Sequence, residues 1–322
     1  MSPPRRTDAR APSRRQRGAA LLVAMLILSF VATLAAGMIW QQWRAVQVEA
    51  AERARVQSAW ILTGALDWAR LILREDAREG GADHLGEPWA VPLAEARLST
   101  FLAADRDATT DDGPEAFLAG GITDAQARYN LRNLVVQGQV VPAQLRVLQR
   151  LCDAAGLPTS VADQVAAGLR AAWSDAAEAT ADAPLAPRSV AELRWLGVSD
   201  DAVQRLAPWL TLLPAPTPVN LNTAPREVLV AVLEGLDAAS AERLVQARDR
   251  SPFRTVEQAK SVLGADSPVR FDGTGIASAY FVVQGRIRLD DRIVEERSLV
   301  QRVDRDVVVL QRERVNMVEA PR

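Results

Sequence analysis

From Gly18 to Trp43 the chain runs 26 residues without a charge, directly after the arginine-dense stretch RRQRG at residues 14–18. A helix of that length spans about 39 Å, against roughly 30 Å for the hydrocarbon core of a bilayer. A secretory signal has an apolar region of only about 7–15 residues and a small-residue cleavage site, which the TLA and LAA stretches after Thr33 can only mimic. The first 18 residues hold six arginines (Arg5, Arg6, Arg10, Arg14, Arg15, Arg17) against Asp8. A basic flank stays in the cytoplasm, so the rest of the chain is expected beyond the inner face of the membrane.

The run does not end as a simple anchor does. Between Gln41 and Arg78 there is no proline and only one glycine, Gly64, while Ala, Leu, Arg, Glu and Gln dominate. These are strong helix formers. Val56, Ala59, Leu62, Leu66, Ala69 and Leu73 recur at steps of three and four, which marks one apolar face. The pattern predicts a single stalk helix that stops near Gly80-Gly81, apolar all round in its first half and amphipathic in its second.

A basic leader ending in glycine and opening such a stalk resembles the start of type IV pilins and type II secretion pseudopilins. The resemblance implies a cut by the prepilin peptidase between Gly18 and Ala19, followed by methylation of the new N-terminus. Most members carry glutamate at the fifth mature position, where it pairs with a neighbouring subunit's N-terminus; this chain has Val23 there. Within the family that glutamate is typically missing in the K pseudopilins of the general secretion pathway, so the resemblance points to the member at the tip. An ordinary single-pass anchor is the plainer reading of the same segment.

Residues 80–113 are rich in loop formers. Asp105, Asp107 and Asp111 alternate as calcium ligands do, but Thr110 and Ala116 stand where an EF-hand loop needs Gly and Glu. EAFLAGGITDAQARYNLRNLV (115–135) reads as two short strands around a turn at Gly120-Gly121 or Thr123-Asp124. Its ARYNLRNL segment resembles one found in K pseudopilins where a helical insertion begins. Asn130 and Asn133 are expected to satisfy backbone groups in turns or caps.

Residues 138–265 read as helical, with three helix–Gly–apolar–helix pieces spaced by about 40 residues. Their hinge glycines are Gly156, Gly197 and Gly235, and an apolar residue follows nine positions on in each: Val165, Leu206 and Leu244. A proline-rich connector precedes the third, with Thr223 expected as N-cap and Pro225 in the first turn. That third copy, residues 219–258, resembles the helix-hairpin-helix family. In DNA-binding members a Gly-apolar-Gly hairpin presents backbone amides to a phosphate; here the hairpin is Gly235-Leu236-Asp237, and a carboxylate repels one. Subtracting the leader's +5 from the overall −2 leaves −7 for the remainder, which is no footprint for nucleic acid. No nucleic-acid partner is expected.

From 278 to 315 apolar and polar residues alternate, with turns expected at Asp290-Asp291 and Asp304-Arg305-Asp306, giving three antiparallel strands. A half-buried sheet needs a helix on its apolar face, and the stalk supplies one. The expected fold class is α+β: a long N-terminal helix on a small antiparallel sheet, with a large all-α insert of helix-hairpin-helix-like repeats. The expected divisions are a leader (1–18), the stalk (19–80), the first part of the pseudopilin domain (81–135), the insert (136–275) and the C-terminal strands (276–322).

One histidine, His84, and one cysteine, Cys152, leave nothing from which to build a zinc site or a histidine-based triad. Cys152 reads as a small buried hydrophobe, and no cofactor or enzymatic activity is expected. Some K pseudopilins bind calcium near the insert, but the corresponding stretch here offers only Asp175, Glu178 and Asp182, and no ligands are assigned. The resemblance implies a minor pseudopilin anchored in the inner membrane, with its globular part in the periplasm. It further implies that the protein caps the pseudopilus tip and meets the other minor pseudopilins through their stalks, as well as the prepilin peptidase and secreted substrates. A membrane-anchored DNA-uptake receptor is the alternative.

Overall fold

The computed structural model describes residues 16–98, 116–174, 184–264, 267–289 and 292–318. It divides into two compact units, residues 1–59 and 60–322. Helix α1 (Gln16–Glu79) forms the described part of the first unit and opens the second. It ends one residue before Gly80 and Gly81, whose φ angles of 66° and 126° are the left-handed conformations that stop a helix.

In the second unit a five-stranded antiparallel sheet lies in the order β1 (Leu93–Arg97), β2 (Ala116–Asp124), β9 (Tyr280–Leu289), β10 (Arg292–Val303), β11 (Asp306–Val318). Leu62, Leu66, Ala69 and Leu73 of α1 are buried. The last three of these pack with Trp89, Ile122, Phe281, Val283, Val300 and Val307 from the sheet side. Trp89 meets Phe281 edge-on, with centroids 5.2 Å apart. Val56, placed on the same stripe by its spacing, is 52% exposed, so burial of the stripe sets in only from Leu62. Periodicity marks an apolar face without saying where its cover begins.

Of the two turn positions expected, Gly120-Gly121 lies inside a strand and Thr123-Asp124 at its end. β2 runs unbroken through both glycines and pairs with β9 from Ala116↔Leu289 to Asp124↔Phe281. Glycine is needed there for close approach rather than for a turn: a Cβ on Gly120 would sit 2.5 Å from the carbonyl oxygen of Gln284. Its partner Gly285 likewise makes room for the stalk, since a Cβ there would lie 3.0 Å from Leu62 Cδ2. The chain turns only after Asp124, whose carboxylate accepts the Gln126 amide.

Because β2 and β9 are hydrogen-bonded neighbours, all the chain between Asp124 and Tyr280 leaves and re-enters the sheet at one place. That excursion holds α2 (Pro142–Ala154), α3 (Ser160–Ala172), a 3-10 helix (Val190–Leu196), α4 (Asp200–Leu206), α5 (Arg226–Val232), α6 (Ala238–Arg250) and α7 (Val256–Leu263). Short pairs stitch its connectors: β3 (Tyr129–Asn130) with β6 (Leu210–Thr211), β4 (Val135–Val136) with β5 (Gln139–Val140), and β7 (Val219–Asn220) with β8 (Thr274–Gly275). The hinge glycines Gly156, Gly197 and Gly235 take φ of 68°, 80° and 87°, and Val165, Leu206 and Leu244 are buried in the shared core. Cys152 lies in that core, fully buried, and burial pushes its thiol up to about 11.

Thr223 is not the cap of α5. Pro225 is, with extended backbone and its carbonyl accepting from Val228 and Leu229; the Thr223 hydroxyl instead donates to Asp124. The hairpin between β10 and β11 turns at Asp304, whose φ is 52°. The turn expected at Asp290-Asp291 lies outside the described residues.

Candidate functional site

Three places bear on function: the apolar start of α1, the hairpin of the third repeat, and the polar junction where the excursion meets the sheet. Gly18 and Ala19 lie in the first turns of α1. Across the run that follows, the apolar residues are exposed on every side, Leu21, Val23, Leu26 and Phe30 at 62%, 57%, 70% and 62%. A helix that is apolar all round belongs in a protein core or in lipid. Within it the Thr33 hydroxyl donates to the Phe30 carbonyl, 2.8 Å away, so that polar group is satisfied inside the helix. Val23 adds an isopropyl group to this apolar surface.

The hairpin Gly235-Leu236-Asp237 has two of its groups engaged within the fold. Leu236 is buried, and its amide donates to the Leu233 carbonyl. Asp237 caps α6: its carboxylate accepts the Ser240 amide at 2.6 Å, and that hydrogen bond holds its pKa below the usual carboxylate value. The helix N-terminus that would receive a phosphate therefore carries its own anion. The segment Pro268–Arg270 lies over Gly235, and Arg270 pairs with Glu234 through both backbone and side chain. These contacts pack the element against the segment that precedes β8.

The junction gathers several buried polar side chains of the second unit. Asp124, at the end of β2, is 5% exposed. Its Oδ2 accepts from Thr223 Oγ1 (2.6 Å), Ser278 Oγ (2.6 Å) and Asn220 Nδ2 (3.0 Å), and its Oδ1 from the Gln126 amide (2.7 Å). Burial raises its pKa, and the four hydrogen bonds oppose the rise. Asn220 Nδ2 also donates to the Asp83 carbonyl, and the Ser278 amide to Asp83 Oδ2. Arg302 of β10 closes the site. It donates to both oxygens of Asp83, to Asp76 and to the Ser278 carbonyl, with its guanidinium 5.1 Å from the centre of the Phe281 ring. Burial raises the pKa of Asp83, and burial with the Glu87 charge raises that of Asp76, while Arg302 lowers both. One side of this network belongs to the stalk end and sheet, the other to residues 219–223 and 278 of the excursion.

Asp76, Asp83 and Glu87 bring carboxylate oxygens within 4.8 Å of one another, a spacing that suits a cation. They do not fit a calcium site. The Arg302 guanidinium already occupies oxygens of Asp76 and Asp83, and Glu87 Oε2 accepts from Trp89 Nε1 (2.7 Å) and the His84 amide (2.9 Å). The acidic stretches weighed as calcium loops, Asp105–Asp111 and Asp175–Asp182, lie outside the described residues.

Sequence reasoning placed Asn130 and Asn133 correctly as backbone-satisfying residues. Asn130 bonds the Arg132 and Leu213 amides, the Ala215 carbonyl and the Thr217 hydroxyl, and Asn133 bonds both the amide and the carbonyl of Thr217. It missed the junction. Asp83, Asp124, Asn220 and Arg302 are scattered over 219 residues and share no motif; only the run of small polar residues in VNLNTAP hinted that its side chains were engaged.

Family models described as type II secretion system (T2SS), protein K, match residues 127–215 and 219–284, which together cover the helical excursion. A type II secretion system protein K of Pseudomonas aeruginosa is 31% identical, the match covering 87% of this chain and 86% of the relative. Its counterpart in Klebsiella pneumoniae is 29% identical, covering 93% and 97%. Among solved structures, a chain of the GspK–GspI–GspJ complex from enterotoxigenic Escherichia coli shares the fold with a TM-score of 0.62 at 20% identity, over 82% of this chain and 98% of that one. With relatives this similar over nearly their whole length, the chain belongs to the type II secretion system protein K family.

Proposed function

We propose that this minor pseudopilin sits at the tip of the pseudopilus, where its helical insert caps the fibre and its stalk helix joins it to the other minor pseudopilins. The observation that carries the proposal is the tethering of the excursion between β2 and β9, with the Asp124–Asp83–Arg302 junction beneath it. An insert held by two adjacent strands and a buried network is a rigid mass, not a swinging appendage. An identical subunit stacked above would collide with it.

Two further features support the reading. Trp60, Trp68 and Leu71 on the stalk are 73%, 54% and 56% exposed, an apolar surface suited to a neighbouring stalk. Val23 cannot pair with a preceding subunit's N-terminus, so the chain is suited to be first in the fibre. The processing and division of the chain belong to the same proposal: cleavage by the prepilin peptidase between Gly18 and Ala19, a stalk to about residue 80, and an insert over 136–275 within the domain formed by 81–135 and 276–322. The leader lies in the cytoplasm, the apolar run crosses the inner membrane once, and the globular part faces the periplasm, where it meets secreted substrates.

Mass analysis of the N-terminus of protein purified from its host tests the class: methylated Ala19 is expected, and an intact leader on mature, membrane-resident protein would refute it. Crosslinking from cysteines placed at Trp60 or Trp68 tests the stalk contacts. Products with other minor pseudopilins are expected, and capture of DNA instead would favour an uptake receptor.

A further inference from the structure

The apolar run ends in an ordered set of side chains. Ala19 to Ile39 is 21 residues, about 31 Å of helix, which matches the hydrocarbon thickness closely. The next residues are Trp40, Gln41, Gln42, Trp43 and Arg44. Trp40 and Trp43, three apart, share a helix face and are 58% and 62% exposed. Arg44 lies one turn beyond Trp40 with its guanidinium carbon 5.7 Å from the ring centre. The charged head therefore lies over the indole face, and the two side chains form one exposed cluster.

Arg44 is also the first charge after the run, and its surroundings differ from those of the arginines that follow. Arg53 pairs with Glu49 and Arg55 with Glu52. The residues three and four positions from Arg44 are Trp40, Gln41, Gln47 and Val48, so its own helix offers it no carboxylate at those positions. A cation with no carboxylate three or four positions away on its own helix, beside two tryptophans and one bilayer thickness from Ala19, suits the phosphate layer of a membrane.

We infer that Trp40, Trp43 and Arg44 form a docking surface for phospholipid headgroups, with the indoles at the level of the ester groups and Arg44 on a phosphate, and that this surface fixes the depth of the stalk in the membrane. Indoles and long cationic side chains favour this interfacial layer for the same reason: an apolar body with a polar tip. The inference rests on the membrane reading proposed above and gives it a consequence. Cleavage after Gly18 removes the leader arginines that hold the cytoplasmic end, so in the mature chain the anchor at the far end sets the register.

The test is cysteine accessibility in the full-length chain, in sealed vesicles of phosphatidylethanolamine and phosphatidylglycerol, with a membrane-impermeant maleimide. Cys152 can stay, because it is buried and its thiol is pushed up to about 11. Cysteines at Val31, Ala36 and Ile39 are expected to label at least about tenfold more slowly than those at Gln42 and Ala45. In the Trp40→Leu, Trp43→Leu, Arg44→Gln background the helix should sink by about one turn, protecting the Gln42→Cys thiol by a factor of about three or more. Tyrosine at both tryptophan positions should leave the step where it was. An unmoved step in the leucine background would overturn the inference, as would a parental step that falls before Ala36 or beyond Ala45. Equal labelling at Val31 and Gln42 would instead refute the membrane reading itself.

Discussion

Replacing Arg302 with methionine removes the only cation among the groups that face Asp76, Asp83 and Glu87 in the described junction, and the effect should depend on pH in a defined direction. The Arg302 side chain is 14% exposed, that of Asp83 3% and that of Asp76 12%. Deleting one partner of so buried a pair costs about 3–5 kcal/mol, since the remaining carboxylates stay dehydrated and uncompensated. In the parent, burial raises the folded pKa of both aspartates and Arg302 lowers it. Without the guanidinium both values rise further above their unfolded counterparts.

An acid with a raised folded pKa contributes stability that is fully present below its unfolded pKa and is lost as pH rises through the folded one. The penalty of Arg302→Met must therefore be largest near pH 7.5 and shrink as pH falls towards about 4, where the unfolded aspartates themselves titrate. Each unit by which one folded carboxyl lies above its parental value relieves about 1.4 kcal/mol of the loss. Urea unfolding of the detergent-solubilised chain, followed by circular dichroism at several pH values for parent and variant, measures the difference directly. Adding Asp83→Asn should recover at least about 1 kcal/mol at neutral pH, because it removes the stranded charge. A penalty that stays constant with pH, or grows in acid, would refute the reasoning: Arg302 would then act through packing on Phe281 and not through charge.

Other outcomes follow from single contacts. Gly120→Val puts a side chain where even a Cβ lies 2.5 Å from the Gln284 carbonyl; a loss of more than about 2 kcal/mol is expected in the same unfolding assay, with Gly121→Ala much milder because its nearest neighbour is 3.8 Å away. Asp237→Ala should destabilise the third repeat while Asp237→Asn, which still caps, should not; the cap is present above the unfolded aspartate pKa and is lost as pH falls through the lowered folded value, which hydrogen exchange at the start of α6 would read. Cys152 should resist maleimide in the native chain and react promptly in denaturant, and labelling at equal rates in both would contradict its burial in the helical core.

What was legible in the sequence divides along the range of the interactions. Gly156 and Gly197 end helices and Gly235 turns the chain between α5 and α6, each through its own left-handed backbone, so a local pattern reports them. The second half of the stalk and the last three strands declare themselves through a period of 3.6 or 2, because each buries one face against a single layer. Gly120 is different. A glycine pair in an apolar run means a turn if the chain is read alone; it means close approach only once Gln284, 164 residues away, is known to lie opposite. Thr223 stands where a cap would, yet its hydroxyl belongs to Asp124, 99 residues earlier.

The junction was illegible for the same reason, and that bears on how the insert works. A domain hung between two strands needs no covalent or metal staple if its polar groups meet those of the host across the seam. Asp124, Asn220, Ser278 and Asp83 do this with neutral donors on one side and a single arginine on the other. Removing a neutral donor such as Thr223 leaves Asp124 with three hydrogen bonds, whereas removing Arg302 leaves charge on charge. The rigidity that the proposed cap needs thus concentrates on one residue of β10, in a strand whose alternation marks it only as half-buried. Arg302→Met should accordingly weaken secretion in cells even where the isolated helical core stays folded. Arg302→Lys should restore it only in part, because one ammonium cannot span Asp76, both oxygens of Asp83 and the Ser278 carbonyl together.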